Sequence, residues 1–290
     1  MNSLIQELIS KSPVITDGAW GTELQARGLA VGEFPDLWNL THPELVEQVA
    51  QAYVDAGSQV ILTNTFGANR LRLASDGLAN KVQEINQAGV QISLKAASKA
   101  GVQVFASIGP SGKMLMNGDV TPDEMEAAFA EQATVLAKAG ANALVIETMS
   151  DIEEAKLAVR AAHSTGLPVV GCMVFDSGKD KDRTMMGNTP EQAAEELAKA
   201  GADVIGANCG QGIAGFVTIA KRYRAATKLP IWIKGNAGLP KIVDGKAKYQ
   251  TTPAQFAEYV PALLQAGAQF IGGCCGTNPD FIRAIRATIC

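Results

Sequence analysis

The sequence predicts an α/β protein folded as one (β/α)8 barrel, the TIM-barrel architecture, with residues 1–290 forming a single domain. The length of 290 residues exceeds that of a typical domain, but barrels of alternating strands and helices commonly reach it. Ala-Gly and Thr-Gly pairs are repeatedly followed by short β-branched apolar segments, which is typical of a helix end and the buried strand after it. These segments are continuously apolar, which indicates parallel strands covered on both faces.

Eight such segments are the predicted barrel strands. In chain order they are Val14–Asp17, Gln59–Asn64, Val102–Ser107, Ala143–Glu147, Val169–Val174, Val204–Asn208, Ile231–Gly235 and Phe270–Gly273. An eightfold series is expected to close on itself, with the active site at the carboxyl ends of the strands. The long loops Phe66–Leu78 and Gly109–Val120 follow the second and third strands and are expected at that end.

Helix starts are marked by pairs in which a capping side chain precedes a proline suited to the first helical turn. The pairs are Thr121-Pro122, Thr189-Pro190, Thr252-Pro253 and Asn278-Pro279. Glu124, Gln192 and Gln255 follow the three threonines at the spacing of a capping box. We interpret these residues as structural.

Composition and charge narrow the classes of function. The net charge is −4 and the basic residues are scattered, so no nucleic-acid partner is expected. No apolar run approaches the roughly 18 residues of a membrane span, and the N-terminus lacks the features of a secretory signal. We therefore expect a cytoplasmic protein without a membrane partner, acting on small molecules or with other proteins.

Groups able to carry chemistry collect where the predicted strands end. In a barrel these positions point toward the mouth, so side chains far apart in the sequence are expected to meet there. They are Asp17, Asn64, Glu147, Asn208, Cys209, Asn236, Cys274 and Cys275. The two histidines, His42 and His163, lie near predicted helix ends, which disfavours catalysis by histidine.

Three of the five cysteines share this rim and suggest a metal site. Cys209 lies in GANCGQG, and Cys274 and Cys275 lie in GGCCGT, where the flanking glycines permit tight turns. Zinc favours sulfur ligands, and a catalytic zinc site has three protein ligands and one open position. Buried apolar cysteines and a redox pair are the alternatives, although adjacent cysteines lack the Cys-x-x-Cys spacing. We interpret Cys172, inside the fifth strand, as a core residue and Cys290 as a chain end.

Several motifs, taken in order, resemble the homocysteine S-methyltransferase family over essentially the whole chain. They are DGAWGTEL from Asp17, TNTFGANR from Thr63, ET from Glu147, GANCGQG from Gly206 and GGCCGT from Gly272. The TNTFGANRLRL stretch, together with GNAGLP from Gly235, is most similar to the homocysteine-binding module of cobalamin-dependent methionine synthase. The resemblance implies a homocysteine-binding (β/α)8 barrel whose catalytic Zn²⁺ is held by Cys209, Cys274 and Cys275.

The resemblance also implies which residues bind the acceptor. Asp17 and Glu147 would hold the amino group of homocysteine, with backbone around Gly18 and side chains near Thr63 placing the amino acid. Carboxylates suit this role because they form charge-assisted hydrogen bonds with an ammonium group. Trp20 stands where the family often has methionine, so another thiol acceptor is the alternative.

The expected activity is methyl transfer to the thiol of homocysteine, giving methionine. Zinc coordination would convert the thiol to a thiolate that attacks a methyl carbon in line, with no histidine base. A chain of 290 residues is too short to include the folate- and cobalamin-binding modules of the synthase, so the expected donor is a methyl-corrinoid on a separate protein. A small donor, S-methylmethionine or a betaine, is the first alternative. A non-catalytic scaffold that binds zinc or a corrinoid protein is the alternative of a different class.

Overall fold

The computed structural model describes residues 2–98, 100–243 and 246–289. Its strands are β1 (Val14–Ile15), β2 (Val60–Ile61), β3 (Gln103–Ile108), β4 (Ala143–Met149), β5 (Val169–Met173), β6 (Val204–Gly212), β7 (Ile231–Asn236), β8 (Lys241–Val243), β9 (Lys246–Lys248) and β10 (Ala268–Gly273). The α-helices are α1 (Ser3–Ser10), α2 (Gly21–Ala26), α3 (Trp38–Thr41), α4 (Pro43–Ala56), α5 (Arg70–Ala74), α6 (Val82–Ala97), α7 (Pro122–Lys138), α8 (Ile152–His163), α9 (Pro190–Ala200), α10 (Phe216–Ala226), α11 (Pro253–Ala257), α12 (Val260–Gln265) and α13 (Pro279–Ile289). Short 3-10 helices cover Pro35–Leu37, Ala79–Lys81, Leu115–Asn117 and Ile213–Gly215.

Eight of the strands form a parallel barrel. Their order is β1, β10, β7, β6, β5, β4, β3, β2, and every neighbouring pair is parallel. A parallel bridge between Thr16 and Val60 joins the two ends of this order. The side chain of Gln59 supports the junction by accepting a hydrogen bond from the Ile15 N–H at 2.9 Å. The predicted fold class is confirmed.

The first two strands are shorter than predicted, with two residues each in the ladder. The Leu62 N–H donates to the Asp17 carboxylate at 2.7 Å, so at this point the backbone is held by a side chain instead of a neighbouring strand. In the opposite direction, β6 continues past the predicted Asn208 to Gly212. The mouth of the barrel is therefore more irregular than its body.

Several elements were not predicted from the sequence. Helix α1 precedes the barrel, α5 lies inside the predicted loop Phe66–Leu78, and β8 pairs with β9 in an antiparallel hairpin after β7. The start of α5 follows the usual capping rule, because the Asn69 side chain accepts from the Arg72 N–H at 2.9 Å. These elements are short or lie outside the βα repeat, so the repeat does not predict them.

The predicted helix starts are confirmed. Thr121, Thr189 and Thr252 each cap a helix, and their partners three residues later complete capping boxes with reciprocal hydrogen bonds. Asn278 accepts from the Asp280 N–H at 3.0 Å at the start of α13. His42 is the residue before α4 and His163 is the last residue of α8, as expected of helix-end positions.

The lower interior of the barrel is filled by side chains that we call the apolar layer. Its members are Val14, Val60, Leu62, Phe105, Val145, Val170, Cys172, Val204, Trp232 and Phe270, with Ile5 of α1. The Trp232 ring lies 6.1 Å from that of Phe105 and 5.3 Å from that of Phe270, measured between centroids. Cys172 is 1% exposed within this layer, which confirms it as a core residue. Cys290 lies outside the described residues.

Helices cover the outer surface of the barrel, and their apolar faces form a second, larger core. Among the helices described in residues 2–98, 100–243 and 246–289, none combines the length and the apolar character needed to cross a membrane.

Candidate active site at the carboxyl ends of the strands

A cavity of about 580 Å³ opens at the carboxyl ends of the barrel strands. The predicted residues that line it are Gly18, Thr63, Asn64, Glu147, Cys209, Cys274 and Cys275. Asp17 lies behind this surface and is 0% exposed. Residues that are far apart in the sequence therefore meet at the carboxyl ends of the strands, as the barrel topology requires.

The three rim cysteines form a compact sulfur cluster. Their Sγ atoms all lie within 4.8 Å of one another, and those of Cys209 and Cys275 are 3.8 Å apart. Cys209 has a φ of 60°, which turns the chain sharply within the extended part of β6. Cys274 is held by its backbone, whose N–H donates to the Gly235 carbonyl at 2.7 Å. This group of ligands could hold a metal ion.

Hydrogen bonds within the sulfur cluster favour loss of a proton. Those from the Cys274 and Cys275 thiols lower the pKa of Cys209. The same contacts raise the pKa values of Cys274 and Cys275. Two side-chain amides also favour negative charge on the sulfurs. Asn208 Nδ2 lies 3.8 Å from Cys274 Sγ, and Asn236 Nδ2 lies 3.8 Å from Cys209 Sγ.

A buried ion pair lies beside the cluster. The Lys234 Nζ is 2.5 Å from Asp17 Oδ1, and the Lys234 side chain is 3% exposed. The other oxygen of Asp17 accepts from the Trp20 Nε1–H and from the Leu62 N–H, both at 2.7 Å. Trp20 thus fixes the Asp17 carboxylate and also lines the cavity.

Glu147 is the carboxylate that reaches the cavity. It is 8% exposed and accepts from Ser107 Oγ at 2.5 Å and from Asn208 Nδ2 at 3.2 Å. Burial raises the pKa of Glu147, and the positive charge of Lys234 opposes that rise. Asn208 connects this carboxylate to the sulfur cluster through its contact with Cys274. We call Asp17, Ser107, Glu147, Asn208 and Lys234 the polar layer.

Gly18 and Thr63 occupy positions where the space is tightly defined. A Cβ at Gly18 would lie 2.7 Å from the Tyr53 Oη, so only glycine fits there without a shift of its neighbours. Thr63 Oγ1 is 2.6 Å from Thr65 Oγ1 and accepts from the Ser107 N–H at 3.1 Å. Both residues line the cavity, and their close neighbours leave little freedom for a larger or differently oriented side chain.

Lys234, Asp36 and Tyr249 are among the cavity residues that were missed in the sequence. Lys234 lies in IWIKGN, where a lone lysine in an apolar strand, directly before a strand end, was the available signal. Asp36 is 3% exposed and accepts from the Gly67 N–H at 3.0 Å; burial raises its pKa to about 7. Tyr249, after the hairpin, packs on Gly276, where an added Cβ would lie 2.1 Å from its ring. Asp36 and Tyr249 lie in connections between barrel elements, and the βα repeat does not predict the path of those connections.

Comparisons with known proteins show which family this chain resembles. Residues 14–289 match the family model described as homocysteine S-methyltransferase. Methionine synthase of Mycobacterium tuberculosis is 29% identical over 301 residues, covering 98% of this chain and 25% of that protein. Betaine–homocysteine S-methyltransferase 1 of Danio rerio is 28% identical over 302 residues, covering 97% of this chain and 74% of that protein. This chain thus spans about a quarter of the length of the methionine synthases it matches.

A solved structure shares the architecture over its full length. The metallated form of the homocysteine methyltransferase MmuM from Escherichia coli superposes with a TM-score of 0.81 at 25% identity. The match covers 98% of this chain and 99% of that one.

Proposed function

The chain belongs to the homocysteine S-methyltransferase family, and from that premise we propose that it methylates the thiol of homocysteine at a zinc ion held by Cys209, Cys274 and Cys275. The observation that carries the proposal is the sulfur cluster at the wall of the cavity, with its three atoms within 4.8 Å of one another. The product of this transfer is methionine.

The residues present fit zinc. Four-coordinate zinc with Zn–S distances of about 2.3 Å places its sulfur ligands about 3.8 Å apart, and the Cys209 and Cys275 sulfurs are separated by 3.8 Å. The Oδ1 atom of Asn236 is buried without a hydrogen-bond partner among the described residues, while its amide nitrogen lies beside Cys209. A cluster of three thiols next to an unpartnered oxygen is suited to a cation.

Bound zinc would supply the positive charge that keeps an acceptor thiol deprotonated at neutral pH. The chain's own residues then have three tasks: they fix the acceptor, hold its sulfur in line with the methyl carbon, and exclude competing groups. One bond forms between sulfur and the methyl carbon as the bond from that carbon to the donor breaks. No group in this step has to accept a proton from carbon, which agrees with a cavity lined by no histidine among the described residues.

The acceptor's amino-acid end is assigned to Asp17, Gly18, Thr63 and Glu147. Glu147 offers a carboxylate at the cavity surface to the α-ammonium group. Asp17 acts from behind, because its oxygens already accept from Lys234, Trp20 and Leu62. Gly18 and Thr63 shape the wall against which the acceptor lies.

The donor is proposed to be a methyl-corrinoid carried by a separate protein. Large apolar side chains are exposed in the connections that leave the carboxyl ends of the strands: Val31, Phe66, Met116, Met185, Met186, Leu239 and Ile242. Exposed apolar residues in the connections at one end of a barrel favour a surface there that meets another macromolecule. A donor that is itself bound to a protein requires such a surface.

A small donor is the second candidate. The specific observation that favours it is full coverage of the E. coli homocysteine methyltransferase, with 99% of that chain matched by this one. A match to the full length of that enzyme favours a site that acts on a free methyl donor.

The experiment measures zinc content and then the rate of homocysteine methylation with four donors: a methylated corrinoid protein from the same cell, methylcobalamin, S-methylmethionine and a betaine. We expect about one zinc per chain and the fastest transfer from the corrinoid protein. Faster transfer from a small sulfonium or ammonium donor would establish the second candidate. Zinc binding with no turnover from any donor would instead indicate a scaffold.

Replacing Leu239 and Ile242 by Ser sharpens the choice of donor. These changes should slow transfer from the corrinoid protein and leave transfer from free methylcobalamin unchanged, because they alter only the exposed rim. Tyr259→Ser, at an exposed residue next to α12, is the matched control.

A further inference from the structure

One of the proposed zinc ligands lies in a bulge of β6. Asn208 lies opposite Lys234 of β7 and Gly212 lies opposite Asn236, so three residues of β6 face a single residue of β7. We call these three residues the cysteine turn: Cys209, Gly210 and Gln211. A bulge takes part of a strand out of its hydrogen-bond ladder and redirects its side chains. Regular strand pairing therefore does not fix the direction of the Cys209 sulfur.

The backbone of the cysteine turn adopts an unusual conformation. The φ angles of Cys209 and Gly210 are 60° and 74°, both in the left-handed region. Residues other than glycine rarely adopt this conformation, and they keep it only where their surroundings impose it. A Cβ at Gly210 would lie 2.7 Å from Val174 Cγ1, so the turn packs directly on the residue that follows β5. Contacts with neighbouring segments must therefore hold the turn in place.

The side chain of Gln211 supplies such contacts. Its Nε2 donates to the Phe175 carbonyl at 3.0 Å and to the Lys181 carbonyl at 3.1 Å. Both carbonyls belong to the connection from β5 to α9, residues 174–189, which we call the β5 loop. The Gln211 carboxamide also lies against Gly215, where an added Cβ would overlap its Oε1. A side-chain NH2 group has two donors, and Gln211 spends both on the β5 loop.

The β5 loop is in turn anchored by Arg222 of α10. The Arg222 guanidinium donates to Asp182 of the loop. It also donates to both carboxylate oxygens of Glu191 on α9, at 2.7 and 2.6 Å. Paired hydrogen bonds between arginine and a carboxylate fix the geometry of both groups. Asp182 directly follows Lys181, so this anchor adjoins a carbonyl that Gln211 binds.

The geometry of the sulfur cluster depends strongly on the cysteine turn. Cys274 and Cys275 are adjacent in the chain, and the Cys274 N–H is held by the Gly235 carbonyl at 2.7 Å. Cys209 comes from a different strand, and its sulfur lies 3.8 Å from that of Cys275. Zinc requires all its sulfur ligands at about 2.3 Å. A displacement of the turn would therefore change how well the cluster fits the metal.

We propose that Gln211 is a positioning residue of the metal site, which fixes the cysteine turn to the β5 loop, while Arg222 fixes that loop to α10. The assignment rests on the proposed function, because it takes Cys209 as a zinc ligand, and it extends the metal site to side chains that do not bind the metal. Residues that orient metal ligands typically change metal affinity by about 10- to 100-fold when they are replaced.

The first test replaces Gln211 by Met, which preserves the length of the side chain and removes both donors. Competition with a chelator measures zinc affinity, which should fall by about 10- to 100-fold. The visible bands of the Co²⁺-loaded protein should shift, because they depend on the geometry of the ligands. Gln91→Met is the matched control and should change neither measurement, since Gln91 also donates to a backbone carbonyl, that of Ala139, but on the outer helices.

The second test replaces Arg222, which does not line the cavity, and serves also if Gln211→Met does not fold. Arg222→Met should lower zinc affinity because the β5 loop loses its anchor. The double variant with Gln211→Met should bind zinc about as weakly as Gln211→Met alone, because residues that act through one network are not additive. Arg160→Met loses a similar two-point contact with Glu126 elsewhere and should retain full zinc affinity.

Unchanged zinc affinity and an unchanged Co²⁺ spectrum in a folded Gln211→Met protein would overturn the proposal, as would unchanged zinc affinity in Arg222→Met. Fully additive losses in the double variant would overturn the connection through the β5 loop. Failure of the proposed function looks different, because the unsubstituted protein would then bind no zinc.

Discussion

The apolar layer and the polar layer use the same strand geometry for opposite purposes. Side chains two residues apart on a strand share a face. The strands β3, β4 and β7 therefore each place one residue in the apolar layer and another in the polar layer. The pairs are Phe105 with Ser107, Val145 with Glu147, and Trp232 with Lys234. One step of two residues toward the carboxyl end therefore changes the interior from close-packed hydrocarbon to hydrogen-bonded charge.

The difference between the layers is explained by available partners. At the level of Trp232 the neighbours are aromatic and aliphatic, and a charge there would have no compensating group. At the level of Lys234, strand ends and irregular connections supply carboxylates, amides and backbone N–H groups. Burial alone does not distinguish the layers, since Asp17 and Trp232 are both 0% exposed.

Cysteine provides the sharpest comparison, because it occurs both in the apolar layer and in the sulfur cluster beside the polar layer. We predict that Cys209→Ala, Cys274→Ala or Cys275→Ala lowers zinc content from about one ion per chain to nearly none and abolishes methyl transfer, since a ligand is lost. Cys172→Ala should retain zinc, because its thiol lies in the apolar layer. Metal analysis with an activity assay checks both. Full zinc occupancy in all three rim variants would contradict the assignment of the ligands.

The ion pair tests whether charge in the polar layer depends on its partner. Asp17→Asn should reduce the free energy of unfolding by about 3 to 5 kcal/mol, because Lys234 is left buried without its counter-charge. Zinc should be retained. Urea denaturation measures the change, with Asp280→Asn as control, since that residue's ion pair with Arg283 is exposed. An equally small effect of both substitutions would show that Glu147 alone can compensate Lys234.

Asp36 is the contrasting case: a buried carboxylate at the mouth with no ion-pair partner in the part of the chain that the structure describes. Its pKa is raised from 3.8 to about 7, so the folded protein holds this proton more tightly than the unfolded chain. The ionised carboxylate therefore costs stability progressively as the pH rises from about 4 to about 7, and the cost persists above that range. The charge of Arg72 opposes the shift without cancelling it.

Asp36→Asn should remove this pH dependence. Relative to the unsubstituted protein, the variant should gain up to about 4 kcal/mol in unfolding free energy between pH 4 and pH 8, with the Gly67 hydrogen bond still accepted by the amide oxygen. Denaturation curves at several pH values measure the difference, and Asp55→Asn on the exposed face of α4 is the control. A constant difference across the pH range would contradict burial as the cause of the shift.

Glu147 tests the function of the polar layer with the smallest change of structure. Glu147→Gln should weaken homocysteine binding by about 10- to 100-fold, as expected for removal of one charged partner of an ammonium group. Zinc content should stay constant, because Glu147 contacts Asn208 and Ser107 and not a sulfur. Calorimetry measures the affinity, and Glu258→Gln at an exposed position is the matched control. If neither Glu147→Gln nor Asp17→Asn changes the affinity for homocysteine, the assignment of both carboxylates to the substrate site is wrong.

The sequence by itself determined the barrel and the place of the sulfur cluster. The βα repeat sets the order of the strands, and parallel strands necessarily bring their carboxyl ends to one rim. Cys209, Cys274 and Cys275 were therefore expected on one rim, where the structure brings their sulfurs together. The capping residues Thr121 and Thr189 marked helix starts through hydrogen bonds to residues three positions later. Such features depend on local spacing or on topology, both of which a sequence records.

Only the tertiary structure decided how the polar groups are partnered. The contact between Asp17 and Lys234 spans 217 positions, and that between Ser107 and Glu147 spans 40. Which of two carboxylates faces the cavity follows from those contacts: Asp17 is enclosed by Lys234, Trp20 and the Leu62 N–H, whereas Glu147 keeps an exposed edge. Hydrogen bonding and the cost of burying charge act over a few ångströms in space, and no periodicity along the chain encodes them.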